Sequence, residues 1–206
     1  MASETASPTR VKICGLSTET SLAAALEAGA DWIGLVHFPR SPRHVDFGQA
    51  AALSALARGR AERVVLLVDP DDALVAAAVE AIDPDLIQLH GREDPARVAA
   101  IRARTGRPVM KALGVATRAD LAAIPAYAAV ADWILLDAKA PPDAKLPGGN
   151  GRSFDWDLLR DADLPTGTML SGGLDAGNVA RALARTGLGA VDVSSGVESA
   201  PGTKDP

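Results

Sequence analysis

The run Trp133-Ile134-Leu135-Leu136-Asp137 places an acid directly after four apolar residues, and Val11-Lys12-Ile13-Cys14-Gly15 places the only cysteine at the end of a similar run. Short apolar runs of this kind are typical of strands that are buried on both faces of a parallel sheet. The eight runs that predict strands are Val11–Cys14, Trp32–Val36, Val64–Val68, Leu86–Leu89, Val109–Ala112, Trp133–Leu136, Thr168–Leu170 and Ala190–Val193.

Ala- and Leu-rich segments of helical period, such as Ser21–Ala28 and Ala96–Arg104, lie between most of these runs, so seven interleaved helices are expected. The predicted helix starts are Ser17 or Thr18, Asp71, Asp94 and Asp175, and the predicted helix ends are Gly29, Gly106 and Gly187. A doubly wound open sheet would show the same alternation. Reactive residues follow the first, sixth, seventh and eighth runs, and only closure brings the first beside the eighth. The sequence therefore favours an α/β fold of the (βα)8 TIM-barrel class.

Size and composition fit one soluble domain. The 206 residues are 48% hydrophobic and carry a net charge of -5, which disfavours nucleic acid as a partner. The polar stretch Met1–Arg10 is expected to be a flexible N-terminal segment, with residues 11–206 forming the barrel domain. A single cysteine and the lack of any apolar run approaching roughly 18 residues predict a cytoplasmic protein without a membrane partner.

Cys14 and Asp137 are the candidate catalytic residues, because side chains at the C-terminal ends of barrel strands usually face the active site. Each has a simpler interpretation: Cys14 as a small buried hydrophobe, and Asp137 as a cap for the following loop. Lys12 points to the same side of its strand as Cys14, and its charge is expected to favour the thiolate. An acid that donates a proton needs a partly apolar pocket, which raises its affinity for that proton.

Two Gly-containing strand ends, Ser171-Gly172-Gly173-Leu174 and Ser194-Ser195-Gly196-Val197-Glu198, are candidate phosphate-binding segments. Isolated Gly pairs are usually only turns. Their position after the last two strands favours a substrate role for Gly172, Gly173, Ser194, Ser195 and Gly196. The loop Pro39–Arg43 follows the second strand. Arg43 is a candidate for holding a substrate carboxylate, and the simpler interpretation is that the charged loop is only solvated.

Alternation along neighbouring strands places Lys12 and Asp192 inside the barrel, which predicts a buried ion pair with its charged atoms within about 5 Å. Gln88, His90 and Lys111 also interrupt apolar runs. The three histidines lack the spacing of metal ligands, so no metal site is predicted.

Taken together, these residues resemble the phosphoribosylanthranilate isomerase family of tryptophan biosynthesis. The resemblance rests on residues 11–16, 28–31, 39–43, 88–91, 135–137, 154–156, 171–174 and 191–198, in that order along the chain. It implies a (βα)8 barrel without a cofactor. It also implies that Cys14 is the general base, Asp137 the general acid and Arg43 the ligand of the anthranilate carboxylate, with the last two strand ends binding phosphate.

Two departures from the family pattern carry expectations of their own. The chain stops at Pro206, where the family continues into an eighth helix, so this helix is expected to be missing or truncated. The gap between the first and last helices should then expose an apolar strip, or be covered by a second copy in a homodimer or by the N-terminal segment. The long loop from Ala138 to Arg152 is a candidate lid.

Two other functions fit parts of the sequence. The Amadori isomerase of histidine biosynthesis, or an enzyme with both activities, would share the barrel and the reaction, but that enzyme uses two aspartates where this chain has Cys14 and Asp137. A catalytically silent phosphate-ligand binder would need neither residue. The small-molecule sugar phosphate therefore stands as the expected partner, for a monomer or a homodimer.

Overall fold

Eight parallel strands close into a barrel in the computed structural model, which describes residues 8–140, 148, 151 and 153–206. The strands are β1 (Arg10–Cys14), β2 (Trp32–Val36), β3 (Glu62–Leu67), β4 (Leu86–Leu89), β5 (Val109–Val115), β6 (Trp133–Ala138), β7 (Thr168–Leu170) and β8 (Ala190–Val193). All eight predicted strands are confirmed, and β8 pairs with β1 in the register Lys12↔Asp192. The expected barrel closure is therefore correct, and an open doubly wound sheet is excluded.

Helices connect most of the strands on the outside of the barrel. Among the described residues they are α1 (Glu19–Glu27), α2 (Phe47–Ala57), α3 (Asp72–Ile82), α4 (Pro95–Thr105), α5 (Ile124–Ala128) and α6 (Val179–Thr186). A 3₁₀ helix, Arg118–Ala123, leads into α5. Of the seven expected helices, the one between β6 and β7 is represented in the described chain by a single 3₁₀ helix, Trp156–Leu159.

Side-chain caps fix where the helices begin. The Thr18 hydroxyl accepts the backbone N–H of Ser21 at the start of α1, and the carboxylates of Asp71 and Asp94 cap α3 and α4 in the same way. The prediction for Asp175 is wrong, because α6 begins at Val179 and its N-cap residue is Asn178, three residues after Asp175. Asp175 instead accepts the backbone N–H of Gly177 in the turn that precedes the helix.

The N-terminal end of the barrel is filled by aromatic rings. Trp32 and Trp133 meet edge to face with ring centroids 5.2 Å apart, and the Arg10 guanidinium lies 3.5 Å from the Trp32 ring centroid. Trp32 belongs to a buried cluster that fills the interior, and the partly buried Trp133 packs against it. The other members of the cluster are Val64, Leu86, Met110, Ala112, Leu135, Met169 and Ala190. Because these side chains fill the interior, the space for a ligand lies at the opposite, C-terminal mouth.

After β8 the described chain forms a short antiparallel hairpin of β9 (Glu198–Ala200) and β10 (Thr203–Lys204), with no helix following it. The expected absence of an eighth helix is therefore met in these residues. The outward side chains Val11 and Ile13 of β1 are half-buried, whereas every residue of β2 is buried. The expected exposed apolar strip is not seen in the described residues, because their only exposed large apolar side chain is Leu56, which lies on α2 and not in the gap. No helix within the described residues has the length and apolarity needed to cross a bilayer.

Replacing the α3 cap, Asp71→Ala, should lower the free energy of unfolding by about 1 kcal/mol, because the backbone N–H of Leu74 loses its acceptor. Urea unfolding followed by circular dichroism measures this change. Asp71→Asn keeps a side-chain oxygen at the cap and should lose clearly less. Equal losses in the two variants would show that this hydrogen bond is not the source of the stability.

Candidate active site

One cleft at the C-terminal mouth of the barrel, with a volume of about 830 Å³ that includes its open entrance, collects most of the predicted site residues. Cys14, Arg43, Asp137, Gly172, Gly173, Ser194 and Ser195 all line it. One wall is apolar and contains Val36, Phe38 and Leu66. The cleft therefore brings a thiol and a carboxyl, predicted from strands far apart in sequence, to a single space.

Lys12, Asp192 and Ser171 form a buried charged network at the cleft, which Asp192 and Ser171 also line. Lys12 Nζ donates to Asp192 Oδ1 at 2.7 Å, and the Ser171 hydroxyl donates to Asp192 Oδ2 at 3.1 Å. The Lys12 side chain is 0% exposed. The ion pair predicted from strand parity is confirmed, while the participation of Ser171 was not foreseen.

Burial and charge act in opposite directions on Cys14. Burial is the largest influence and raises the pKa of the Cys14 thiol, while the positive charge of Lys12 lowers it and the charge of Asp192 raises it again. The net result is a raised pKa, so Lys12 favours the thiolate, as predicted, without overcoming burial. For Lys12 itself, burial lowers the pKa, but attraction to Asp192 and Cys14 outweighs it and the pKa is raised.

Gly34 makes room for the sulfur of Cys14. A Cβ at this position on β2 would lie 2.9 Å from Cys14 Sγ and 3.2 Å from Lys12 Nζ. A residue with a side chain would therefore push the thiol or the ammonium out of place. The sequence signal for this contact is the single Gly inside the otherwise bulky run Trp32–Val36.

Asp137 is held through both carboxyl oxygens. The backbone N–H of Ala138 donates to Oδ1 at 2.8 Å, and His90 Nε2 lies 3.3 Å from Oδ2. Gly172 comes close on the β7 side, where a Cβ would lie 3.2 Å from Asp137 Oδ1 and 2.7 Å from the backbone N of Ala138. Gly172 therefore packs against the acid as well as lining the cleft.

Arg43 is tied to the hairpin that follows β8. Its Nε and Nη2 donate to the two carboxylate oxygens of Glu198 at 2.7 and 2.8 Å, in a bidentate pair. Lys204 Nζ donates to Glu198 Oε1 at 2.8 Å and to the carbonyl of Ser194 at 2.9 Å. The positions of Glu198 and Lys204 were not predicted, because loop residues have no periodicity from which a facing direction could be derived.

The charges of this cluster compensate one another. Burial raises the pKa of Glu198, but hydrogen bonds from Arg43 and Lys204 outweigh burial and the pKa is lowered. For Lys204, burial is the largest influence and its pKa is lowered, in spite of the attraction of Glu198. Glu198 is therefore a carboxylate near neutral pH, and it orients the guanidinium of Arg43.

The two Gly-containing strand ends differ in their use of glycine. Gly172 and Gly173 have φ angles of +89° and +61°, a region that favours glycine, and both line the cleft. Gly196 does not line it. Its backbone instead runs so close to the carbonyl of Leu174 that a Cβ would overlap that oxygen.

The predicted lid, Ala138 to Arg152, lies mostly outside the described residues, although Gly148 and Gly151 line the cleft.

Lys111 is not part of the cleft. It forms a buried ion pair with Glu93, with Nζ 2.8 Å from Oε2, and it also donates to the carbonyl of Gly91. Glu93 in turn accepts the backbone N–H of Asp69. This pair joins the loops after β3 and β4 to β5 and supports the segment that carries His90.

Within the described chain, no three His, Cys, Asp or Glu side chains are grouped to hold a metal ion.

The protein is a (βα)8 barrel whose thiol and carboxyl share one cleft at the strand ends, where enzymes of the barrel class carry their active sites. The family profile described as N-(5'phosphoribosyl)anthranilate (PRA) isomerase matches residues 11–206. An N-(5'-phosphoribosyl)anthranilate isomerase of Azorhizobium caulinodans is 67% identical over 95% of this chain and 86% of its own. The chain therefore belongs to the N-(5'-phosphoribosyl)anthranilate isomerase family.

Solved structures agree with this assignment. The phosphoribosyl anthranilate isomerase of Thermotoga maritima superposes with a TM-score of 0.84 and 34% identity, over 96% of this chain and 93% of that one. A phosphoribosyl anthranilate isomerase in complex with reduced 1-(o-carboxyphenylamino)-1-deoxyribulose 5-phosphate superposes with a TM-score of 0.81 and 32% identity, over 96% and 92% of the two chains. Both solved structures belong to one enzyme family, and they are 32% and 34% identical in sequence to this chain.

The raised pKa of Cys14 predicts that its alkylation by iodoacetamide follows a pH curve displaced to higher pH than that of the same thiol in urea-unfolded protein. Lys12→Met should displace the curve further upward, because the cation that favours the thiolate is lost. Intact-mass spectrometry reads the reaction without ambiguity, since the chain has one cysteine.

The matched control is Lys111→Met, which breaks the other buried lysine ion pair and should leave the midpoint for Cys14 unchanged. If Lys12→Met lowered the midpoint, or if folded and unfolded protein shared one midpoint, the electrostatic account of the thiol would be wrong.

Proposed function

We propose that this chain catalyses the Amadori rearrangement of N-(5-phosphoribosyl)anthranilate to 1-(2-carboxyphenylamino)-1-deoxyribulose 5-phosphate, with Cys14 as general base and Asp137 as general acid. The observation that carries the assignment of roles is the shared cleft, which both side chains line from β1 and β6, three strands apart around the barrel. Membership of the isomerase family supplies the reaction, and a thiol and a carboxyl in one cleft support the two proposed roles.

The first step of the proposed mechanism belongs to Asp137. Its carboxyl protonates the ribose ring oxygen as the anthranilate nitrogen lone pair opens the ring to a protonated Schiff base. Positioned acids of this kind typically contribute about 10²–10⁴-fold in rate. The bonds to Oδ1 and Oδ2 hold the carboxyl in one orientation, so its proton has a defined direction of transfer.

The second step belongs to Cys14. Its thiolate removes the proton from the sugar C2, whose acidity is increased by the neighbouring protonated Schiff base, and the resulting enolamine tautomerises to the ketone. A raised pKa makes the thiolate a stronger base, although a smaller fraction of the thiol is ionised at neutral pH. Lys12 increases the ionised fraction of the thiol, because its positive charge stabilises the thiolate.

Substrate binding is assigned to the two ends of the cleft. We assign the phosphate to the strand ends that contain Gly172, Gly173, Ser194, Ser195 and Gly196, and the anthranilate carboxylate to Arg43. Gly196 contributes through the backbone geometry of the segment rather than through the cleft wall. The bidentate bond with Glu198 supports the role of Arg43, because it fixes the plane in which the guanidinium meets a carboxylate.

The remaining features of the proposal concern the whole chain. Residues 11–206 are assigned to one barrel domain and residues 1–10 to a flexible segment, of which residues 1–7 lie outside the described chain. The protein is proposed to work in the cytoplasm, as a monomer or a homodimer, on a small sugar phosphate. Sedimentation equilibrium distinguishes the two assembly states.

Cys14→Ser and Asp137→Asn should each lower kcat/KM by at least about 10²-fold, because each removes one proton-transfer group. The assay follows the loss of anthranilate fluorescence when purified protein meets N-(5-phosphoribosyl)anthranilate. Asp132→Asn is the matched control, since Asp132 precedes β6 at the opposite end of the barrel and should retain activity. Full activity in either active-site variant would contradict the assigned role.

The same assay distinguishes the alternatives. The Amadori substrate of histidine biosynthesis is tested beside N-(5-phosphoribosyl)anthranilate, and turnover of both would indicate an enzyme with two activities. A silent binder would bind the ligand without converting it, and Cys14→Ser would leave its affinity for the ligand unchanged.

Arg43→Lys should raise KM by about tenfold or more with a smaller change in kcat, because an ammonium cannot form the bidentate bond that a guanidinium gives to a carboxylate. Steady-state kinetics at constant ionic strength measure both constants. Arg40→Lys, in the exposed part of the same loop, is the matched control and should leave KM unchanged. An unchanged KM for Arg43→Lys would remove Arg43 from carboxylate recognition.

A further inference from the structure

We propose that His90, held in place by Gln88, is a positioning residue that fixes the carboxyl of Asp137, an inference that rests on the proposed role of Asp137 as the acid. The three side chains are joined by two successive contacts. Gln88 Nε2 lies 3.1 Å from His90 Nδ1, and His90 Nε2 lies 3.3 Å from Asp137 Oδ2. All three line the cleft.

The chemistry of the amide decides what His90 offers to Asp137. When the Gln88 amide N–H donates to Nδ1, the neutral imidazole must carry its hydrogen on Nε2, the nitrogen that faces the carboxylate. His90 then donates to Oδ2 while the backbone N–H of Ala138 donates to Oδ1. With both oxygens held, the carboxyl cannot rotate away from the substrate.

Gln88 has a feature that packing alone does not explain. Its side chain is fully buried, and its Oε1 has no hydrogen-bond partner among the described residues. A buried carbonyl without a partner is costly, and an apolar residue of similar size would avoid that cost. The amide is therefore best accounted for by its contact with His90, which an apolar side chain could not make.

The unpartnered oxygen also gives the amide a second use. If the amide turns about its last bond, Oε1 faces Nδ1 and accepts a hydrogen from it, so the contact between Gln88 and His90 survives in either neutral tautomer of the imidazole. The pair Gln88–His90 can thus remain neutral and hydrogen-bonded before and after Asp137 gives up its proton. An acid that loses and regains a proton in each turnover needs a partner that fits both states.

Gly148 covers the contact between His90 and Asp137. A Cβ at Gly148 would lie 2.7 Å from Asp137 Oδ2 and closer still to His90 Nε2. The backbone at Gly148 therefore packs directly over the contact between the two side chains. Their geometry depends on a residue without a side chain at this point of the chain.

The test uses His90→Leu, His90→Gln and Gln88→Met in the full-length protein, with kcat and KM measured on N-(5-phosphoribosyl)anthranilate. We expect His90→Leu to lower kcat by about 10–10²-fold, the loss typical of a misplaced reacting group, with KM nearly unchanged. His90→Gln restores a side-chain N–H near the position of Nε2 and should recover most of kcat. Gln88→Met, of similar length but without an amide, should lower kcat in the same direction.

A double-mutant cycle separates positioning from general structural damage. If His90 acts through Asp137, the loss caused by His90→Leu should disappear in the Asp137→Asn background. A loss that persists in that background, or a His90→Gln variant as inactive as His90→Leu, would overturn the proposal. If His90→Leu does not fold, as judged by circular dichroism, Gln88→Met and His90→Gln carry the same test through kcat and KM.

The two proposals fail in different ways. Should Asp137→Asn retain full activity, the role of Asp137 as the acid is lost and with it the basis for this inference. Should Asp137→Asn lose activity while His90→Leu and Gln88→Met keep it, the acid stands and the positioning role alone is wrong.

Discussion

The contact on which the structure depends is the ion pair between Lys12 and Asp192, because it lies where β1 meets β8 and the barrel closes. Its two charges are buried and 2.7 Å apart, in strands 180 residues apart along the chain. A buried pair adds little net stability compared with apolar residues, but loss of one partner leaves an unpaired charge and typically costs about 3–5 kcal/mol. A slip of one residue in the β1–β8 register would turn one of the charges outward. The pair therefore specifies the closure and, through it, places Cys14 two residues above Lys12.

The parts of this arrangement that follow a period could be predicted. Strands alternate with a period of two, so the pairing of Lys12 with Asp192 followed from parity, as did the direction of Cys14. Closure was favoured by the reactive residues after the first, sixth, seventh and eighth runs, because the order of helices and strands also fits an open sheet. Asp175 was assigned wrongly because an Asp before a helix can equally stabilise a turn, and sequence alone does not locate the first helical hydrogen bond.

The parts that depend on loops or on net electrostatics could not be predicted. Glu198 and Lys204 lie in a hairpin without periodicity, so nothing in the sequence indicated that they meet Arg43. The influence of Lys12 on Cys14 was predicted with the right sign, but the net shift depends on burial, which only the packed structure determines. For the same reason, the close approach of Gly196 to Leu174 is visible in the fold and not in the sequence, where the residue is only one more glycine.

The raised pKa of Cys14 has a consequence for the life of the protein in an oxidising cell. Peroxide attacks thiolates and not thiols, so a cysteine that rests in its protonated form is oxidised slowly. The chain has no second cysteine that could form a disulfide with a sulfenic acid and so rescue it. The burial that raises the pKa of the thiol therefore also slows its oxidation.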